Sequence, residues 1–237
     1  MLASRKDVVI TYSGQQLDEA DRDVWLHILH VARLKPLGAE FEMTRRELLR
    51  ALGRDVGKSQ YVWLKGVIER LFSATMFIET AGYTIGPDSY GAGLRLLGSF
   101  EFHGGRDTYH FSIDWRTMAL YQREAYGLLE WRQRLRLQQD LAKWLHCLIV
   151  SNAPGEQRYA LKDLRTWIGA VDRPRRFRAR LEDAMRELEQ NGLIKQARLG
   201  RGVRGCEQAV WTRCGSAEST ALSTRHNGAT STRHNGA

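Results

Sequence analysis

Arg173, Arg175, Arg176, Arg178 and Arg180 stand within eight consecutive positions, in the run Arg-Pro-Arg-Arg-Phe-Arg-Ala-Arg. The chemistry open to such a set is the capture of anions through forked guanidinium donors. The run opens a helix, because Phe177, Leu181, Ala184, Met185 and Leu188 recur at helical spacing and form one apolar stripe. The arginines therefore occupy the outward face of an anchored helix. They lie next to its N-terminus, where the backbone dipole adds to the attraction for anions. A rigid helix bearing such a fan fits a DNA groove. From 173 to 204, ten basic residues meet four acidic ones, a net +6, and the acids fall late in the helix.

A milder set precedes it. Segment 44–72 holds seven basic residues against three acidic ones, a net +4. Lys58, Ser59, Gln60 and Lys65 open a predicted helix with Tyr61, Leu64, Ile68, Leu71 and Phe72 on its inner face, and Ser59 is expected to cap it. In a recognition helix the first residues reach base edges while flanking cations hold phosphates. Arg176 and Arg180, four apart, are accordingly assigned to bases, and Arg173, Arg175 and Arg178 to the DNA backbone. Lys58, Ser59, Gln60 and Lys65 are the contacts expected from the earlier helix. Arg201 and Arg204, in a predicted hairpin tip, suit a wing touching the backbone.

The elements that must position these residues follow one order twice. A first helix carries Val24, Trp25, Ile28, Leu29 and Ala32, and Phe41–Met43 is extended. Thr44 and Glu47 form a capping box ahead of Leu48, Leu49 and Leu52, and Gly53 closes that helix. After the third helix come β-type segments at 76–80, 83–85, 94–102 and 108–113, with turns at Gly91–Gly93 and Gly104–Gly105. In the second half, a helix near 115–126 leads to a longer one at 131–150. Tyr159–Leu161 is extended, and a helix bearing Leu164, Trp167 and Ile168 stops at Gly169. The arginine helix ends at Asn191-Gly192, a left-handed cap, before a strand Leu193–Leu199, a turn Gly200–Gly205 and a strand Glu207–Trp211.

Leu48, Leu52 and Gly53 match Leu164, Ile168 and Gly169 at an offset of 116, as Phe77-Ile78 matches Leu193-Ile194, and Leu71 matches Leu188 at 117. The expected fold is α+β: two tandem winged-helix domains, each a helix-turn-helix with a β-wing, over 8–113 and 114–212. Ser-Thr-Arg-His-Asn-Gly-Ala occurs at 223–229 and again at 231–237, and the stretch 213–237 is too poor in apolar residues to order itself, so a disordered tail is expected.

Composition sets the outer bounds. At 237 residues the chain can hold two cores of roughly 100 residues each. A charge of +9 and a pI near 9.7 favour a nucleic-acid partner over a membrane. There is no apolar run long enough to span a bilayer and no signal peptide at the start. Cys147, Cys206 and Cys214 form no CxxC pair, so neither a disulfide scaffold nor a zinc site is expected and a reduced bacterial cytoplasm is the simplest setting. Gly53–Ser59 falls one residue short of a phosphate-binding loop and follows a helix rather than a strand. Gly200–Gly205 fits GxGxxG, but a strand follows where a dinucleotide site needs a helix. His146 beside Cys147 lacks an acidic orienter. Trp25, Trp144 and Trp167 fall on stripes and read as core. No catalytic residue, cofactor or metal is expected, and the chain is not read as an enzyme.

Four segments carry a resemblance. Thr11–Trp25, Phe41–Leu52, Gly57–Gly66 and Leu97–Phe100 resemble the TrfA-type plasmid replication initiators, over about residues 8–212. The resemblance implies tandem winged helices that bind repeated double-stranded origin sites, the iterons. It further implies origin opening and recruitment of a DnaB-type helicase, with the host initiator and the sliding clamp as further partners. A monomer–dimer balance is also implied, with the first winged helix at the dimer interface and monomers on the iterons. The chain begins almost directly at its first domain, so the extension that carries partner contacts in longer members is expected to be missing or short, and no clamp-binding segment is evident. The alternative is a winged-helix transcriptional repressor that merely occupies an operator. Two fused, non-identical units favour a reader of directional repeats.

Overall fold

The computed structural model describes residues 8–36, 38–80, 83–85, 94–122, 131–202 and 205–214, and the chain divides into two units, Met1–Tyr126 and Gly127–Ala237. The first contains β1 (Val8–Ser13), α1 (Glu19–Ala32), β2 (Phe41–Thr44), α2 (Arg45–Ala51), α3 (Lys58–Ser73), β3 (Thr75–Thr80), β4 (Tyr83–Ile85), β5 (Leu94–Arg95), β6 (Ser99–His103), β7 (Thr108–Ser112) and α4 (Trp115–Gln122). The second contains α5 (Trp131–Arg136), α6 (Asp140–Val150), β8 (Gly155–Ala160), α7 (Leu161–Trp167), α8 (Pro174–Gln190), β9 (Ile194–Arg201) and β10 (Glu207–Arg213). The division falls later than 113/114 because α4 belongs to the first unit. Met118 is buried there, and the Thr117 hydroxyl donates to the Arg95 carbonyl at 3.2 Å.

Capping residues fix where the helices begin. Asp18 and Asp21 form a reciprocal capping box at α1, and Thr44 and Glu47 form another at α2. At α3 the expectation fails. Gly57, in extended backbone, is the N-cap, no side chain caps the helix, and Ser59 sits inside the first turn. The apolar stripes of these helices meet: Val24, Ile28, Leu48, Leu49, Leu64, Val67, Ile68 and Leu71 are fully excluded from solvent. That burial, worth roughly 2 kcal/mol for each large aliphatic side chain, fixes the outward face of α3.

The first unit has two sheets. One runs β2-β7-β6; the other runs β1-β3-β4 with β5 also on β3. The second sheet corrects the sequence match of Phe77-Ile78 to Leu193-Ile194. β3 pairs antiparallel with β1, from Val8↔Thr80 to Ser13↔Thr75, and β1 is a run rich in β-branched and aromatic residues, Val-Val-Ile-Thr-Tyr-Ser. A local apolar pair looks alike in either sheet; its partner strand is decided elsewhere in the chain. The segment expected as one strand over 94–102 breaks at Leu96–Gly98, where Leu96 and Leu97 turn into the core and the Gly98 N–H bonds to the Ser112 carbonyl at 2.9 Å.

In the second unit the strands run β8-β10-β9, so the last strand is central in both three-stranded sheets. The core joins Phe177, Leu181, Ala184, Met185 and Leu188 of α8 to Leu141, Leu145 and Ile149 of α6 and to Trp211. The indole N–H of Trp211 donates to Gln157 Oε1 at 3.0 Å. The single helix expected over 131–150 is two. The chain breaks at 137–139, where Glu187 accepts the N–H groups of Gln138 at 2.5 Å and Gln139 at 3.2 Å. β10 also outlasts its expected end at Trp211: Arg213 donates to the Val150 carbonyl at 3.2 Å, and Cys214 is buried with its N–H on the Leu193 carbonyl. The order of the chain thus passes the boundary at 213. The rest of the expected tail, the turn at Gly91–Gly93 and residues 123–126 of the helix near 115–126 lie outside the described residues. Among the described residues, no helix is long and apolar enough to cross a membrane.

Candidate nucleic-acid interface

Each unit brings a basic helix to its surface by the same local device. α2 and α7 stop, the chain passes through a glycine with positive φ (+68° at Gly53, +66° at Gly169), and the next helix starts a few residues later. A side chain at either corner would be strained, which is why both stops fall on glycine. At α8 the start is sharpened by Pro174 in the first turn, after Arg173 as N-cap in extended backbone. Burying Phe177 and Leu181 inward then forces the arginines outward.

The structure sorts those arginines. Arg173, Arg175 and Arg176 are exposed, and among the described residues none is placed in an ion pair with them. Arg178 is held twice, by Glu182 at 3.3 Å and by Glu207 at the start of β10. Arg180 gives its Nη1 to Asp172 and leaves the rest of its fork open. Asp172 is itself fixed, because Arg165 of α7 donates to its backbone carbonyl through Nε at 3.1 Å and Nη2 at 2.6 Å. Arg201 is exposed at the end of β9, opposite Glu207 in the ladder. Arg204 lies outside the described residues.

In the first unit, Lys58 and Ser59 open α3 and are exposed. Lys65 meets Glu69 at 3.7 Å on a solvated face, so little of its charge is spent internally. Gln60 is only half-exposed and accepts from Arg54 at 3.1 Å, while the Arg54 guanidinium lies 3.7 Å over the Trp63 ring. Beside α3 opens a cleft of about 470 Å³, lined by Arg45, Lys58, Tyr61, Val62, Lys65, Phe100, Phe102 and Tyr109. Its floor is an aromatic row on the β6–β7 hairpin, with Tyr109 5.0 Å from Phe102 and 5.5 Å from Phe111. Burial pushes the Tyr109 phenol up from its ordinary range, so it stays a neutral wall.

Two functional arginines escape a reading by charge count. Arg45 lies 4.0 Å over Tyr61 and 4.8 Å over Phe102 and forms an ion pair with Asp107 in the hairpin turn. It ties α2, α3 and the hairpin together. Arg54 braces the start of α3. Arg45 does follow the capping box directly, but nothing in its spacing signals a partner as distant in sequence as Phe102.

The rejected motifs have structural explanations. Gly53–Gly57 is a corner between two helices with Lys58 and Ser59 already in α3, and Gly200 and Arg201 end β9, after which the Gly202 N–H meets the Cys206 carbonyl at 2.8 Å. His146 is fully buried with neither ring nitrogen bonded, while Cys147 Sγ accepts from Arg134 at 3.4 Å. Trp167 departs from expectation. It is 40% exposed and meets Tyr159 edge-on at 5.9 Å, at the last residue of α7.

Fold and surface together define an α+β protein of two units, each presenting a cationic helix beside a three-stranded sheet. The family model described as TrfA protein matches residues 1–208, and the chain belongs to that family. The plasmid replication initiator protein TrfA of Escherichia coli is 24% identical over 208 residues, which are 86% of this chain and 53% of that protein. The chain thus spans about half the length of this relative. A crystal structure of RctB domains 2-3 has 12% identity and a TM-score of 0.55, over 91% of this chain and 90% of that one. A selenomethionine form of RctB domains 2 and 3 has 12% identity and a TM-score of 0.56, over 90% and 94%. The likeness to RctB is one of fold.

Proposed function

We propose that this chain is a plasmid replication initiator that reads repeated origin sites on duplex DNA with α3 and α8. Each unit is read as a winged helix, with β6–β7 and β9–β10 as the wings. The observation that carries this reading is the recurrence of one arrangement: helix, glycine corner, cationic helix and a hairpin whose last strand is central in its sheet, which follows directly in the second unit and after β3–β5 in the first. Membership of the TrfA family and the relative named a plasmid replication initiator support it. Lys58, Ser59 and Lys65 face the duplex from α3. Arg173, Arg175, Arg176 and Arg180 face it from α8, and Arg201 reaches the backbone from the wing. Monomers bind the iterons, open the origin and admit a DnaB-type helicase in the bacterial cytoplasm, and the chain itself performs no chemical step. The test is autonomous maintenance of a plasmid that carries this gene and its candidate repeat-bearing origin. Maintenance supports the reading; occupancy of the repeats without maintenance identifies a repressor instead.

A further inference from the structure

The geometry points to Asp172 as the residue that makes Arg180 a sequence reader, an inference that rests on the DNA-binding reading above. Three links connect them. Arg165 pins the corner between α7 and α8 by two bonds to the Asp172 carbonyl, at 3.1 and 2.6 Å. The Asp172 side chain, only 17% exposed, is thereby held at the corner. Its carboxylate takes one terminal nitrogen of Arg180 and leaves the remaining donors of the fork pointing elsewhere.

A flexible arginine loses rotamer freedom when it forks onto a guanine edge; one already held by a carboxylate loses less. The same carboxylate weakens Arg180 as a general phosphate ligand, since it cancels much of the charge and adds an anion near the DNA backbone. Asp172 therefore trades non-specific affinity for selectivity. Its neighbours divide the remaining work. Arg178, gripped by Glu182 and Glu207, has both terminal nitrogens occupied and acts as a strut between α8 and β10. Arg173, Arg175 and Arg176, with no ion pair among the described residues, supply sequence-independent attraction. This reassigns Arg178 away from DNA and Arg176 from bases to the DNA backbone, and leaves Arg180 as the fixed fork of the helix.

The experiment begins by selecting a duplex from a random-sequence library with the unaltered full chain. Affinities for that duplex and for its scrambled counterpart are then compared for Asp172→Asn, Arg180→Lys and the double variant, with thermal unfolding measured alongside. Asp172→Asn is expected to lower the ratio of selected to scrambled affinity roughly tenfold, by weakening the first and raising the second. The double variant is expected to lose no more selectivity than Arg180→Lys alone. Equal changes on both duplexes, or additive losses in the double variant, would overturn the role of Asp172 and reduce it to a structural corner. If the unaltered chain selects no duplex at all, the DNA-binding reading fails first, and this inference with it.

Discussion

Asp21 on α1 and Arg70 on α3 form a two-pronged ion pair, with Nη2–Oδ1 at 2.6 Å and Nε–Oδ2 at 3.1 Å, and the Asp21 carboxylate is 1% exposed. The same carboxylate accepts the Asp18 N–H, and the Asp21 N–H bonds to Asp18 in return. One side chain thus starts α1 and fastens the far end of the first cationic helix. Arg70 belongs to the basic count of that helix, yet its charge is spent inward.

Asp21→Ala is expected to cost about 3 kcal/mol, the low end for breaking a buried pair, since Arg70 keeps a quarter of its exposure. Urea unfolding measures it. A loss below 0.5 kcal/mol, about what a surface pair is worth, would mean that the pair is not buried in solution.

Arg45→Ala should separate structural from electrostatic contributions to DNA binding. Loss of two ring contacts and a half-buried ion pair is expected to cost about 1–2 kcal/mol of stability. Affinity for every duplex should fall as the hairpin loosens, while the dependence of log K on log salt stays unchanged, because Asp107 already neutralises this guanidinium. A shallower salt slope would show instead that Arg45 touches phosphate.

Arg201→Ala should do the opposite. With Arg201 exposed at the wing and in no ion pair among the described residues, its loss is expected to weaken binding to selected and scrambled duplexes alike and to lower the salt slope by about one. Titrations at several salt concentrations decide it. An unchanged slope would remove Arg201 from the interface.

His146 gives the second unit a pH dependence. Burial above all, and then the charges of Arg134 and Arg213, lower its pKa from 6.5 to about 3. The folded state therefore keeps it neutral while the unfolded state takes up a proton below pH 6.5. Stability from this group is fully present above pH 6.5 and declines as the pH falls toward 3. Between pH 7 and pH 5 the loss is expected to be about 2 kcal/mol. His146→Leu should abolish this part of the slope, read from urea midpoints at the two pH values. A slope that survives the substitution would place its origin in other groups.

The arginine helix was legible from sequence because helical period separates Phe177, Leu181 and Leu188 from the charges between them, and burial enforces that separation. Its boundaries were legible too, through Pro174 and the left-handed Gly192 at φ +70°. Ser59 misled, since a capping residue type beside a helix start is common and only backbone geometry assigns the cap to Gly57. The β-branched run of β1 marks it as a strand, but its pairing is not legible locally, because the partner strand lies more than sixty residues away. In the interface, charge counts located the cations but not their state. Arg178 and Arg180 carry the same charge on the same helix, and sequence alone does not tell their partners. Only the folded positions of Glu207 and Asp172 show that one is saturated and the other is half open.

Glu187 has a mechanical consequence. Standing on the arginine helix, it accepts two backbone N–H groups that lead into α6 and so ties α8 to the start of α6. The helix and the one behind it move as a single stiff lever. On the proposed reading, a stiff α8 would leave the duplex to absorb a mismatch of curvature by bending. The energy of that bend varies with base sequence, so stiffness in the protein becomes a source of discrimination at base pairs that no side chain touches.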